Sequence, residues 1–182
     1  ERSRGLGDVY KRQDEDKAKV SVFDRGFLFA DAVYEVTAVI DGKILEWDGH
    51  VQRLERSLKE LDMKFPISET ELLDIHFDLI KKNTLKEGLI YLQVTRGDDD
   101  RSFDYPDESV KPTLVLFTQV KFLAESNIAK TGLKVISVPD MRWGRRDIKT
   151  VQLLAPSMCK MMAKKKNKDD AWMIQDGFIT EG

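Results

Sequence analysis

The chain has 182 residues, 41% of them hydrophobic, enough for one good core or for one domain and part of another. Its 30 lysines and arginines nearly cancel its 32 aspartates and glutamates; a net charge of -2 offers no basic footprint for nucleic acid and no strong acidic field, so small molecules are the expected partners. Cys159, the only cysteine, excludes an internal disulfide and fits a reducing cytoplasm, and apolar runs such as Thr113–Phe117 fall far short of the roughly 20 residues that span a bilayer.

The opening ERSRGLGDVYKRQ has no periodicity and reads as a flexible tail. Asp8–Gln13 matches the translation of a transposon end used in sequencing adapters, so residues 1–13 are set aside as non-native. From Ala18, AKVSVF predicts a short strand and DRG a turn; AVYEVTAVI is a second strand, closed by Asp41-Gly42, a strong hairpin signal before KILEW. Val51, Leu54, Leu58 and Leu61 recur at helical spacing and predict a helix from about Asp48 to Met63. Ser68, with Glu71 three residues on, forms a capping box for a second helix reaching about Asn83, with Leu72, Ile75, Leu79 and Ile80 apolar.

Strands return at GLIYLQVTRG and PTLVLFTQV, separated by DDDRSFDYPDESVK, a loop of about 14 residues without apolar periodicity; structureless loops of that length are commonly functional. The pattern β-β-β-α-α-β-β makes residues 14–120 an α+β domain. KFLAESNIAKTG is expected to be a linker into a second unit, residues 121–182, whose first strand is LKVISV. A helix follows Lys149, with Pro156 confining its first half to a turn or kinking it. DAWMIQDGFITEG closes as a hairpin about Asp176-Gly177. One strand, a helix and a hairpin cannot bury a core, so the second domain is expected to be incomplete.

Metal hydrolysis is poorly supported, since His50 and His76 fall on separate predicted helices and read as surface or packing residues. The chain has no GxSxG, GxxxxGK[ST] or GxGxxG motif, and the DDDR run, Asp98–Arg101, reads as solvated charge. What remains is RWGRRDIKT, in which Lys149 follows Arg142, Arg145 and Arg146. Neighbouring cations or burial make a lysine nucleophilic, and attack on a carbonyl is the chemistry this favours.

Taken together, DRGFLFADAVYEV, HVQRLERS, VTRGDDDRSFDYP, RWGRRDIKT and DAWMIQDGFITEG stand in the order and spacing of the class IV, fold-type IV pyridoxal-phosphate aminotransferases. From about residue 14 to Gly182 the chain most resembles the D-amino-acid (D-alanine) transaminases. The resemblance implies a small two-layer α/β domain followed by the beginning of a pseudo-barrel domain, with pyridoxal 5'-phosphate between the two and a homodimer completing the site. By motif, Lys149 matches the lysine that bonds to the cofactor and moves the substrate proton, and Glu181 the carboxylate facing the pyridine nitrogen. Arg53 matches the arginine on the cofactor phosphate. Tyr34 and Arg101 match residues holding the substrate α-carboxylate, the arginine coming from the neighbouring subunit.

Phe103 stands where some D-amino-acid transaminases have a histidine, and Ala32 where many relatives have glycine. Family members run on for roughly 100 further residues, a usual domain size, so the chain is expected to be truncated and to bind cofactor weakly or not at all. The implied reaction is D-alanine plus 2-oxoglutarate to pyruvate plus D-glutamate. The alternatives of the same fold are an aminodeoxychorismate lyase, a branched-chain aminotransferase and an (R)-amine transaminase; a non-catalytic fragment is the alternative of another class.

Overall fold

The computed structural model describes residues 5–8 and 12–182. They form two compact units, one running to Leu123 and taking in Asp147–Val151, the other made of Ala124–Arg146 and Gln152–Gly182.

The first unit contains strands β1 Gly5–Asp8, β2 Arg12–Asp14, β3 Ala32–Ile40, β4 Lys43–Ile44, β5 Gly88–Thr95 and β6 Thr113–Val120, and helices α1 Arg25–Phe29, α2 Trp47–Glu60 and α3 Glu69–Lys82. Its strands form one antiparallel sheet in the order β2-β1-β6-β5-β3-β4. Successive side chains of a strand point to opposite faces. Val33, Glu35, Thr37 and Val39 of β3 are therefore buried on one face with Ile90, Leu92, Leu114 and Leu116, while Tyr34, Val36 and Ala38 lie on the other.

Helix α2 packs on β3 and α3 on β6, bringing Val51, Leu54, Leu58, Leu72, His76 and Leu79 into the core, where each buried aliphatic side chain contributes roughly 1.5–3 kcal/mol. The capping box forms as the sequence predicts: Glu71 N donates to Ser68 Oγ at 3.2 Å and Ser68 N to Glu71 Oε2 at 2.9 Å. Asp41 and Gly42 both take positive φ, 51° and 72°, the tight turn whose twist suits a hairpin.

The second unit opens with helix α4 Asn127–Thr131. Strand β7 Val135–Pro139 then runs parallel to β8 Asp170–Gln175, which pairs antiparallel with β9 Phe178–Glu181. Parallel neighbours need a crossover. Helix α5 Leu154–Lys165 provides it, packing Cys159 and Ala163 on Val138, Ala171 and Met173.

Four sequence expectations are corrected. AKVSVF is not a strand: Ser21 and Asp24 close a turn instead, Phe23 N donating to Ser21 Oγ at 3.1 Å, and Asp24 caps α1 where only a turn was expected. The predicted linker contains α4, capped by Ser126. Pro156 stands in the first turn of α5 rather than midway along a helix, as its third residue, where an N–H has no intrahelical acceptor to lose. Of the tail, Gly5–Asp8 and Arg12–Gln13 are strand, β1 pairing with β6 through backbone groups that any sequence offers; residues 1–4 and 9–11 lie outside the described residues.

His76 is buried between helices, Nδ1 donating to Leu72 O at 2.8 Å and the Trp47 ring edge-on at 4.9 Å. Burial holds its imidazole down at about 4, against an ordinary 6.5, and the Leu72 bond opposes this only in part. The unfolded chain thus takes up the proton first. The stability is complete above the ordinary value and is lost as pH falls from 6.5 towards 4, at up to about 1.4 kcal/mol per pH unit. Urea unfolding across that range is expected to show this slope in the wild type and a flatter one in His76→Gln; equal slopes would assign the loss to other groups.

Candidate active site

Lys149 is placed by backbone pairing rather than by a helix or loop of its own. Tyr34 N donates to Lys149 O at 3.0 Å and Val151 N to Ala32 O at 3.2 Å, an antiparallel bridge that adds the segment to the edge of β3. Two residues of α2 hold it from the side: Lys149 N donates to the buried Ser57 Oγ at 3.3 Å, and the Arg56 guanidinium donates to Asp147 O and pairs with its carboxylate at 3.6 Å. With the backbone so fixed, Lys149 Nζ donates to Tyr34 Oη at 3.3 Å and lies 4.4 Å from the centre of that ring. Among the described residues no carboxylate pairs with this amine.

Tyr34 begins an aromatic row on the face away from the helices. Its ring stacks on Tyr91 at 5.7 Å, and Tyr91 stacks on Phe117 at 4.8 Å. Tyr91 Oη donates to Gln93 Oε1 at 2.8 Å, and burial, with a smaller contribution from Tyr34, pushes its phenol up to about 12, so it stays a neutral donor.

Arg53 belongs to a different cluster, on the helix-covered face. Its Nε and Nη2 each donate to a Glu35 oxygen at 2.7 Å, and His50 Nδ1 lies 2.7 Å from Glu35 Oε2. A carboxylate can only accept, so His50 carries its proton on Nδ1. Burial pushes the Glu35 carboxyl up, but the hydrogen bonds from Arg53 and His50 and their charges outweigh it, and the group rests below the usual carboxylate range. Arg53 Nη1 has no acceptor among the described residues, Nη2 lies 3.4 Å from His50 Nδ1, and the side chain is 46% exposed.

Arg101 sits in the long loop, its guanidinium carbon 5.4 Å from the centre of the Phe29 ring and 5.8 Å from that of Phe103. Glu181 ends β9 in the second unit and accepts from Arg142 Nη1 at 2.5 Å. Arg142 also forks onto Asp140, at 3.0 and 2.9 Å, and these bonds hold the Asp140 carboxyl far below its usual range. Arg146 pairs with Asp140 at 3.4 Å, so Arg142 and Arg146 are both committed to ion pairs.

The structure thus brings Tyr34 and Lys149 together and gives Arg53, Arg101 and Glu181 separate surroundings. Glu35, His50 and Ser57 were missed by sequence reasoning. A carboxylate at a buried position of an alternating strand, and His50 three residues before Arg53 on one helix face, were the available signals.

Residues 32–182 match the amino-transferase class IV family, and the chain belongs to it. It is 34% identical to the D-alanine aminotransferase of Staphylococcus haemolyticus over 169 residues, 93% of this chain and 60% of that protein. The chain spans about 60% of the length of the curated relatives it matches. The T.th. branched-chain amino acid aminotransferase, solved with pyridoxamine 5'-phosphate, superposes with a TM-score of 0.82 at 17% identity, over 98% of this chain and 62% of that one. A putative 4-amino-4-deoxychorismate lyase from Legionella pneumophila gives 0.75 at 21%, over 90% and 59%. At such identities the likeness speaks for the fold, which is that of the fold-type IV aminotransferases. No helix among the described residues is long and apolar enough to cross a membrane, and no group of three metal-ligating side chains is found among them.

Removing the buried Glu35 carboxylate strands the Arg53 and His50 donors. Glu35→Ala is expected to lower the unfolding free energy by about 2–4 kcal/mol and Glu35→Gln by roughly half as much, read from urea midpoints at constant m.

Proposed function

We propose that this chain carries the catalytic lysine of a pyridoxal 5'-phosphate-dependent aminotransferase that transfers the amino group of a D-amino acid, D-alanine first, to 2-oxoglutarate, giving pyruvate and D-glutamate. It would act as a homodimer in the cytoplasm. The observation that carries the reading is the Lys149 amine, 3.3 Å from the Tyr34 phenol and without an ion pair among the described residues. An amine so placed is available for a carbonyl. The residues present fit the cofactor: Lys149 offers the amine, and the open edge of Arg53, its other edge locked by Glu35, suits a phosphate in the bidentate geometry of guanidinium.

Bound there, the cofactor supplies an electron sink for the charge left when a substrate Cα–H bond breaks. The chain's own residues do the rest. Lys149 Nζ takes and returns the proton at the substrate Cα, and Tyr34 Oη, accepting a hydrogen bond from the ammonium form, keeps that nitrogen on the aromatic face of the sheet. Tyr34 and an Arg101 from the partner copy hold the α-carboxylate. Glu181 supplies the negative charge that keeps a pyridine nitrogen protonated, Arg142 fixing its carboxylate. The likeness to D-alanine aminotransferases supports the substrate, and that to the T.th. branched-chain enzyme the cofactor.

Pyridoxal 5'-phosphate added to the purified chain is expected to give a visible absorbance band that Lys149→Ala abolishes. No band in the wild type would assign the polypeptide to the non-catalytic fragment. In the gene product from which the sequence comes, D-alanine and 2-oxoglutarate are expected to yield pyruvate; pyruvate formed only from a chorismate-derived amine would replace the transaminase with the lyase.

A further inference from the structure

Three charged side chains near the start of β3 take no part in the chemistry above, yet little of any of them is exposed. Arg25 is 5% exposed, and Arg96 and Asp31 are each 9% exposed. Arg25 Nε and Arg96 Nε both donate to Asp31 Oδ2 at 2.8 Å, and Arg96 Nη2 reaches Asp31 Oδ1 at 3.1 Å. One carboxylate cannot satisfy two guanidiniums, each with five donors. The remaining donors go largely to the long loop: Arg25 Nη1 donates to Ser102 O at 2.8 Å and to Asp104 O at 3.2 Å, and the Arg96 guanidinium lies 3.7 Å from the centre of the Tyr105 ring. Arg96 Nη2 also donates to Leu61 O at 2.8 Å, which ties the cluster to the end of α2.

These contacts fall on the residues that directly follow Arg101. Phe29 links the two sites, for its ring carries the Arg25 guanidinium at 4.5 Å and that of Arg101 at 5.4 Å, and it meets Phe103 edge-on at 5.8 Å. Asp98, Asp99 and Asp100 immediately precede Arg101, yet none of them pairs with it, nor does any other described carboxylate. A loop free to collapse would neutralise that arginine on its own aspartates.

We infer that Arg25 and Arg96, joined through Asp31, are positioning residues: they clamp Ser102–Tyr105 so that the Arg101 guanidinium is kept off the neighbouring aspartates and left open for a substrate carboxylate. The inference rests on the reading of Arg101 as a carboxylate-binding residue. Guanidinium geometry is central to it, because Arg25 must reach Asp31 and two carbonyls at once. Lysine keeps the charge but cannot span them.

The test compares Arg25→Lys, Tyr105→Leu and Arg101→Ala. In the purified chain, amide exchange of residues 101–107 is expected to speed up about tenfold or more in Arg25→Lys, the loss of a charge-assisted hydrogen bond, with β3 and β5 unchanged. Tyr105 is 58% exposed, so Tyr105→Leu frees the loop from its outer side without disturbing the core, and the same acceleration is expected. In the gene product, both variants should raise KM for D-alanine about tenfold with kcat changed far less, the result also expected of Arg101→Ala. Unchanged exchange and KM in Arg25→Lys and Tyr105→Leu, with KM raised in Arg101→Ala, overturns the clamp. An unchanged KM in Arg101→Ala instead overturns the reading of Arg101, and the exchange data then decide on the clamp alone.

Discussion

The pairing of Lys149–Val151 with the edge of β3 is the constraint on which the candidate site depends. A lysine side chain has four rotatable bonds and carries little positional information by itself. Two backbone hydrogen bonds, Tyr34 N to Lys149 O and Val151 N to Ala32 O, remove that freedom at the root and set Lys149 beside Tyr34 on the same face. Because side chains alternate across a strand, a register slip of one residue would turn Lys149 towards α2 and bring Ile148 or Thr150 to the aromatic face. Ser57 and Arg56 guard against that slip by holding the segment from the helix.

The same strand serves both faces with consecutive residues. Tyr34 faces the lysine; Glu35, the next residue, is buried against α2 and fixes Arg53 and His50. The phenol and the guanidinium are therefore set by one short stretch of backbone, and displacement of β3 moves both. Asp31, just ahead of them, reaches the Arg101 loop through Arg25 and Arg96 in the same way. The entry to β3 thus gathers residues distant in sequence into a few rigid relations, each made by a charge-assisted hydrogen bond.

Much of the first unit was legible in the sequence because its signals are local. AVYEVTAVI alternates, Asp41-Gly42 specifies its turn, Ser68 and Glu71 cap a helix, and Val51, Leu54 and Leu58 repeat at helical spacing; all act within a few residues of themselves. What escaped is long-range or made by backbone. The β1 strand pairs through N–H and C=O groups, which leave no mark on composition, and the edge strand at Lys149 is too short to show a period. Val22 and Phe23 look like strand residues, but the Ser21 and Asp24 side chains, bonding to nearby backbone, win over propensity. Lys149, Arg53, Tyr34, Arg101 and Glu181 stand in a family pattern, whereas the carboxylates that orient the arginines, Glu35, Asp31 and Asp140, have no local sequence signal that sets them apart, and only the long-range packing shields them.

The bridge between Val33 and Thr150 also has a temporal side. Strand β3 emerges early in synthesis, yet one stretch of its outer edge can find its partner only after α2, α3 and α4, the strands β4, β5 and β6, and the first strand of the second unit have been made. Until then that edge presents unpaired backbone groups, the kind of template on which chains pair wrongly. The short β4 covers only the far end, at Val39 and Ile40. The first unit is therefore a discontinuous folding unit: its sheet and helices can assemble from the earlier part of the chain, but the edge beside Tyr34 is closed last, by the segment that brings Lys149.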